Sequence, residues 1–387
     1  MPRDAANARG TCHIARRAPS EGGCGADNST VPTATIQLPR VVRFATVAAF
    51  LAIGVAAASE AAAGVHTTTA PTRSGPADSY GGLVRAENGQ PCAGEYQVRG
   101  VTVHGRPACT HGPDGLPVFY AASGSTRGGG GKKSPAPSPS PTPTSTAPTA
   151  PTAPSGARCG TDGPRVQAVY VHAADVADRY ASLLPSLDQW TANVDSVYAT
   201  SAAETGGVRH VRFVTDANCV PVVADVTVSS TGDDNLSNTI TELQAQGFNR
   251  TDRKYLLWVD AGVYCGIATV ESDDSAAATN RNNSGPSYGR VDSGCWGGDT
   301  EAHELEHTLG GVQLSAPHSD GGWHCTDEYD RMCYETSGHT MTYSCPLEHD
   351  RVFDCGHDDY FSTAPDPNGY LASHWNSANS VFLTSTS

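Results

Sequence analysis

One stretch of this chain cannot form a core. Residues 128–157 read GGGGKKSPAPSPSPTPTSTAPTAPTAPSGA and, apart from two lysines, contain only glycine, proline, serine, threonine and alanine. Such a composition buries too little apolar surface to fold and prefers the extended polyproline II conformation. We interpret it as a disordered linker. A sizeable core then has to form in residues 158–387, which are numerous enough for one.

The N-terminal part of the chain predicts export. Arg40 and Arg43 precede an apolar run at residues 44–58, and residues 61–63 (AAA) offer a small-residue cleavage site. The run is too short for a comfortable transmembrane helix. We interpret residues 1–63 as a leader with a signal peptide, preceded by polar residues that indicate a start assigned too early. The mature protein is expected to be secreted and extracellular, without stable membrane association.

The 12 cysteines also favour an oxidising compartment. Cys92 and Cys109 lie in residues 64–127, which we predict to be a small region with a hairpin closed by one disulfide. Residues 158–387 contain an even number of cysteines, which suits four disulfides of undetermined connectivity. These are Cys159, Cys219, Cys265, Cys295, Cys325, Cys333, Cys345 and Cys355.

The formal net charge is −15, but residues 158–387 carry 12 Lys/Arg against 32 Asp/Glu, a balance of −20, and residues 1–157 are net positive. An acidic domain argues against binding to nucleic acid or to an anionic membrane surface. We therefore expect neither as a partner.

Residues 158–387 alternate between strand and helix patterns. Strands are predicted at 166–172, 208–214, 220–228 and 255–259, and helices at 179–203, interrupted by Pro185, and at 238–246. The order predicts an α/β or α+β fold with a mixed twisted sheet, followed by a disulfide-rich C-terminal subdomain.

Residues 301–310 (EAHELEHTLG) contain a candidate metal-binding motif. His303 and His307 lie four residues apart, so a helix presents both imidazoles on one face, where they can share a zinc ion. Glu304 is placed to take a proton from a metal-bound water without binding the metal. We expect Asp299 or Thr300 to cap this helix and Gly310 to end it.

The run HELEHTLGG resembles the active-site motif of the metzincin clan of zinc metallopeptidases, HExxHxxGxxH followed by a methionine turn. The resemblance implies that His303 and His307 are zinc ligands and that Glu304 is the general base. The chain departs from the motif at Gln313, which stands where the clan has its third histidine. Glutamine oxygen is a poor zinc ligand, so a third ligand has to come from elsewhere.

The following segment, APHSDGGWHCTDEYDRMCY, offers three replacements. His324 is preferred because it lies eight residues before Met332, in a segment that resembles the methionine turn, and beside Cys325, which a bridge to Cys333 would fix. His318 and Asp327 are the alternatives. Tyr334 matches the tyrosine that some clan members place near zinc to stabilise the tetrahedral intermediate.

The sequence thus predicts a zinc metalloendopeptidase that hydrolyses protein or peptide substrates with a zinc-activated water. Two other functions remain open: an exported zincin-like binding protein without proteolysis, and a zinc amidase acting on cell-wall peptides. Around His357, the segment FDCGHDDYF, with Asp354, Asp358 and Asp359, is either a structural calcium site or a solvated acidic loop. The sequence does not determine the oligomeric state.

Overall fold

A computed structural model describes residues 79–87, 92, 95–114, 156–334 and 339–386. The chain divides into two compact units, residues 1–71 and 72–387, and the first lies outside the described residues. The predicted leader at 1–63 and all but the last two residues of the predicted linker at 128–157 also lie outside them.

The described residues form three α-helices and twelve strands, several of which are very short. The helices are α1 (Tyr180–Glu204), α2 (Leu236–Ala245) and α3 (Asp299–Leu309). The strands are β1 (Leu83–Arg85), β2 (Tyr96–Val103), β3 (Arg106–Thr110), β4 (Arg165–Ala173), β5 (His210–Val211), β6 (Val223–Val228), β7 (Arg253–Val259), β8 (Gly266–Val270), β9 (Ser287–Asp292), β10 (Asp327–Glu328), β11 (Thr342–Tyr343) and β12 (Leu383–Thr384).

Eight strands form one mixed sheet in the order β1-β2-β3-β8-β9-β7-β4-β6. Strands β9, β7, β4 and β6 are parallel, whereas β8 pairs antiparallel with β9. The hairpin β2–β3 extends the sheet, because β3 pairs antiparallel with β8 through Cys109 opposite Val270 and Thr110 opposite Thr269. A part of the chain before the linker therefore belongs to the same sheet as the part after it.

The central strands are buried on both faces. In β4, Ala168 and Tyr170 face a core shared with α1 and α3, whereas Val169 and Val171 face a second core shared with α2. This alternation with a period of two explains why the strand has an almost continuous apolar sequence. The mixed sheet with helices packed on it confirms the predicted α+β class.

Most predicted elements are present, and two predictions are wrong in detail. The strand predicted at 208–214 shortens to His210–Val211. Pro185 does not interrupt α1, which continues through it to Glu204. Pro185 is the sixth residue of α1, just past the first turn, so the helix continues through it at the loss of one backbone hydrogen bond, to Ala181.

Five disulfides are present among the described residues. They confirm the predicted pairing of Cys92 with Cys109, the four bridges predicted after the linker, and the bridge between Cys325 and Cys333. The other pairs are Cys159–Cys219, Cys265–Cys295 and Cys345–Cys355. Such bridges are typical of proteins from extracellular or other oxidising compartments. Among the described residues, no helix combines the length and apolar character needed to cross a membrane.

Candidate metal centre

Helix α3 is set into the core by specific contacts at both ends. A left-handed Gly298 (φ +104°) precedes it, and a Cβ there would collide with Asn193 on α1. The N–H groups of Gly297 and Gly298 donate to the carboxylate of Glu301. The prediction of Asp299 or Thr300 as the cap is therefore wrong, because the chain enters the helix from a tight glycine turn that only Glu301 reaches. Gly310, at φ +90°, ends the helix as predicted.

Every residue of α3 from Thr300 to Leu309 is buried, although the segment is rich in charged groups. Beneath its C-terminal end, Lys254 Nζ donates to the carbonyl oxygen of Thr308 at 2.6 Å and to Ser287 Oγ at 3.0 Å. Burial lowers the pKa of Lys254 to about 7. A helix of this kind can be held at such depth only if its polar groups find partners inside the protein.

Three histidines meet through their Nε2 atoms at His307. His303 Nε2 lies 3.0 Å from His307 Nε2, which lies 3.2 Å from His324 Nε2. Nitrogen ligands at the usual distance from a tetrahedral zinc ion are separated by roughly 3.3 Å. The spacing of these nitrogens therefore suits a common metal ion, and the structure brings together the three histidines that the sequence favoured.

The orientation of His303 also suits a metal. Its Nδ1 lies 2.8 Å from the carbonyl oxygen of Arg331, which can only accept, so Nδ1 carries the proton. In the neutral imidazole the lone pair of His303 is then on Nε2, which lies 3.0 Å from His307 Nε2. Metal-binding histidines are commonly oriented by a hydrogen bond of this kind.

The loop that brings His324 to the helix is held at its base. The disulfide between Cys325 and Cys333 closes it, and Cys325 N–H donates to the carbonyl oxygen of Met332 at 3.2 Å. Met332 is fully buried in the same apolar cluster as Leu305 of α3. The loop therefore packs on α3 through Met332, the residue that the sequence analysis placed in a segment resembling a methionine turn.

Glu304 lies beside the three histidines and is fully buried. Neither carboxylate oxygen has a hydrogen-bond donor among the described residues. Burial, and next to it the charge of Asp114, raises the pKa of Glu304 well above its ordinary value. A Cβ at Gly266 of β8 would collide with this carboxylate, so the glycine makes its position possible. A buried carboxylate without donors, next to imidazole nitrogens, suits a place beside a metal-bound water.

The structure separates the other candidate ligands from this centre. Gln313 uses its side chain on the backbone: it donates to the carbonyl oxygens of Gly310 and Glu271 and accepts from Asp273 N–H. His318 and Asp327 approach each other in a different group of side chains. Of the alternatives considered for the third ligand, His324 is the one that lies with His303 and His307.

Asp114 and His111 lie at the centre, precede the linker, and were not predicted from the sequence. Asp114 Oδ2 lies 3.1 Å from His303 Nε2, and Asp114 Oδ1 lies 3.3 Å from His324 Nε2. Tyr334 donates its hydroxyl proton to Asp114 Oδ1 and lies 3.1 Å from His324 Nε2. The predicted oxyanion tyrosine therefore lies at the centre, but its hydroxyl contacts a carboxylate from the N-terminal region.

His111 holds Asp114 in place. Its Nε2 accepts a hydrogen bond from Ala268 N–H at 3.0 Å, so its Nδ1 carries the proton and points to Asp114 Oδ1, 3.2 Å away. The imidazole also stacks on His307. Although burial opposes ionisation of Asp114, the imidazoles of His111 and His324 hold its pKa well below its ordinary value. Although its ring lies within 4.8 Å of ligand atoms of Asp114, His307 and His324, both its nitrogens are engaged in this way, so His111 positions the carboxylate.

Comparisons with known proteins add little. No family model matches the chain, and the search of curated proteins found no match. Among solved structures, one matching chain comes from "Structure of a chaperone-substrate complex". It is 15% identical, with a TM-score of 0.23, and the match covers 57% of this chain and 34% of that chain. So weak a likeness carries no argument about fold or function.

Proposed function

We propose that this chain is a secreted zinc-dependent endopeptidase. The observation that carries the proposal is the convergence of three imidazole Nε2 atoms, from His303, His307 and His324, beside the unsatisfied buried carboxylate of Glu304. Zinc binds imidazole nitrogen well, and catalytic zinc typically has three protein ligands and one open position. The resemblance of HELEHTLGG to the metzincin motif supports the same assignment.

The side chains around the centre have distinct roles in this proposal. Bound zinc would polarise the scissile carbonyl and make water a stronger acid. Glu304, which lies beside the ligands, would take the proton of the attacking water and pass it to the leaving amine. The Tyr334 hydroxyl would donate a hydrogen bond to the carbonyl oxygen as negative charge develops there.

Strand β8, whose outer side pairs with β3 in the described arrangement, is the strand along which we expect a substrate to bind. An extended peptide can add to the edge of a sheet through backbone hydrogen bonds. Residues 109–114 already follow this edge antiparallel, from Cys109 opposite Val270 to Asp114, whose N–H donates to Gly266 O at 3.0 Å. We therefore propose that the described arrangement is a latent form, in which the N-terminal region covers the cleft and Asp114 takes the open ligand position.

The same contact favours a second candidate function. If Asp114 is a permanent fourth ligand, the centre is closed, as structural zinc sites are. The chain would then be an exported zincin-like binding protein without proteolysis. The two candidates predict opposite results when the carboxylate is removed. A zinc amidase acting on cell-wall peptides is distinguished by its substrate.

The test uses the full chain carrying Asp114→Ala, loaded with zinc. It is incubated with denatured casein, with short peptides and with peptide amides, including cell-wall peptides, before and after removal of the metal by a chelator. The proposal predicts cleavage within casein that stops without metal and returns with zinc. Zinc binding without cleavage of any substrate would favour the binding protein, and cleavage confined to the amides would favour the amidase.

A further inference from the structure

A second group of metal-binding side chains lies outside the three-histidine centre. His318, Asp327, Asp358 and Asp359 each offer one ligand atom, and the four atoms lie within 4.8 Å of one another. Three carboxylates close to one imidazole repel each other unless a cation or added protons balance the charge. The proposed peptidase mechanism uses none of these residues.

The carboxylate of Asp327 has few partners within the protein to balance its negative charge. Its side chain is only 4% exposed, and its contact within hydrogen-bonding distance is Cys333 Sγ at 3.3 Å. That sulfur belongs to the disulfide with Cys325 and carries no proton to donate. Apart from its own backbone N–H, the carboxylate therefore has no hydrogen-bond donor among the described residues, and its other oxygen lies 3.7 Å from His318 Nδ1. A buried carboxylate in this condition is costly unless a cation binds it.

The distances suit a small cation. From His318 Nδ1, the nearest carboxylate oxygens of Asp359, Asp327 and Asp358 lie at 3.0, 3.7 and 3.8 Å. Four ligands around a tetrahedral zinc ion are separated by roughly 3.3 to 3.5 Å. Asp358 Oδ1 is itself buried and has no donor among the described residues. His318 and Asp358 remain about half exposed, which leaves a path for an ion to enter.

A tight turn presents the two carboxylates. Asp354 accepts hydrogen bonds from the N–H groups of residues 358–361. Its oxygens are thus occupied by the backbone, whereas those of Asp358 and Asp359 turn to His318. Asp354 is used by the turn, and His357 Nε2 lies 3.8 Å from Glu204 Oε2, so neither belongs to the group around His318.

We propose that His318, Asp327, Asp358 and Asp359 bind a second divalent cation of the zinc class. An imidazole ligand favours zinc over calcium, which prefers oxygen ligands alone. The ion joins three segments of the chain: the residues after α3, the disulfide-closed loop and the turn at 354–361. His318 N–H already donates to Asp359 Oδ1 at 2.8 Å, so the segments meet before the ion binds.

The site has a structural consequence for the first centre. Asp327 lies in the loop between Cys325 and Cys333, next to the segment that carries His324. An ion at Asp327 fixes this loop against the turn at 354–361, and metal binding of this type is coupled to local folding. Occupancy of the second site should therefore protect the loop from unfolding and proteolysis.

The test is native mass spectrometry of the full chain with its disulfides intact, after loading with zinc and removal of excess metal. Two zinc ions per chain are expected in the wild type. His318→Ala and, separately, Asp358→Asn should each retain one, and the second variant changes only a half-exposed side chain if the first fails to fold. His339→Ala is the matched control, because His339 is an exposed histidine of the same region, and it should keep both ions.

The outcomes separate this proposal from the peptidase. One zinc ion in the wild type that His303→Ala removes would overturn the second site and leave the first intact. One ion that His318→Ala removes and His303→Ala does not would support the second site and contradict the proposed catalytic centre. Two ions in both His318→Ala and Asp358→Asn would also overturn the second site. Loading with calcium in place of zinc should give no increase in mass.

Discussion

Asp114 and His303 lie in contact at the metal centre, with Asp114 Oδ2 3.1 Å from His303 Nε2. His303 Nδ1 donates to the carbonyl oxygen of Arg331, so in the neutral imidazole the lone pair of Nε2 faces Asp114 Oδ2. Such a pair is favourable when a cation lies between them. The contact links the part of the chain before the linker to the proposed chemistry, and it leads to the first prediction.

Asp114→Ala in the intact chain should raise casein hydrolysis relative to the wild type. Asp114 competes with substrate for the open position, so its removal should raise the rate roughly 5- to 150-fold, the usual range for coupling between two ligands. The measurement is the initial rate with zinc-loaded protein. Thr102→Ala, on the exposed side of the same hairpin, is the control and should match the wild type. Equal rates for wild type and Asp114→Ala would contradict latency.

Glu304→Ala should keep zinc and fold but lose hydrolysis. The carboxylate acts on water and is not among the converging nitrogen ligands, so its removal should leave the metal content unchanged. General acid–base catalysis is worth roughly a hundred- to ten-thousand-fold. The rate is best compared in the Asp114→Ala background, where the cleft is expected to be open. Retained activity there would rule out the role given to Glu304.

Tyr334→Phe in the same Asp114→Ala background should lower kcat by about a hundredfold or more and change KM little. The reason is that an oxyanion donor acts mainly in the transition state. In the intact chain the hydroxyl also donates to Asp114. The wild-type background would therefore mix two effects. A fall confined to KM would indicate that Tyr334 binds substrate and does not stabilise the oxyanion.

Glu301→Ala should lower the free energy of unfolding by about 1 to 2 kcal/mol, because it leaves the N–H groups of Gly297 and Gly298 without their acceptor. Asp299→Ala is the matched control. Its side chain is half exposed, and surface changes usually stay within about 0.5 kcal/mol. Chemical denaturation of both variants measures the difference. A larger effect at Asp299 would show that the helix cap has been misassigned.

Lys254 should make stability depend on pH. Burial lowers its pKa from 10.5 in the unfolded chain to about 7 in the fold. Between these values the unfolded chain binds a proton that the native chain does not, so the free energy of unfolding should rise with pH and level off towards the unfolded pKa. The slope from one such group approaches about 1.4 kcal/mol per pH unit. Denaturation at pH 7.5 to 9 should show this slope in the wild type and a reduced slope in Lys254→Met.

Much of the centre could be predicted because its signals are local. The four-residue spacing of His303 and His307 fixes one face of a helix, and Cys325 next to His324 indicates a closed loop. The approach of Asp114 could not be predicted, since it depends on β3 pairing with β8 across a linker that has no pattern of its own. Asp114 and Tyr334 are 220 positions apart in the chain.

The residue that caps α3 and the members of the second group of metal-binding side chains could not be predicted, for a related reason. Asp299 has the side chain that a cap prefers, but the glycine turn places Glu301 closer to the free N–H groups. Likewise, the acidic segment around His357 indicates a cation site by composition, whereas the backbone of the turn uses Asp354 and directs Asp358 and Asp359 to His318. The composition of the segment indicates a cation site, and the geometry of the turn determines which side chains face His318.

The central claim is that His303, His307 and His324 share a zinc ion. It is tested most directly by an anomalous-difference map, collected at the zinc absorption edge from crystals of the zinc-loaded full chain. The account predicts a peak at about 2.0 to 2.1 Å from all three Nε2 atoms, with Asp114 in contact with it in the wild type. A map with no peak among these nitrogens, in crystals that hold zinc elsewhere, would contradict it.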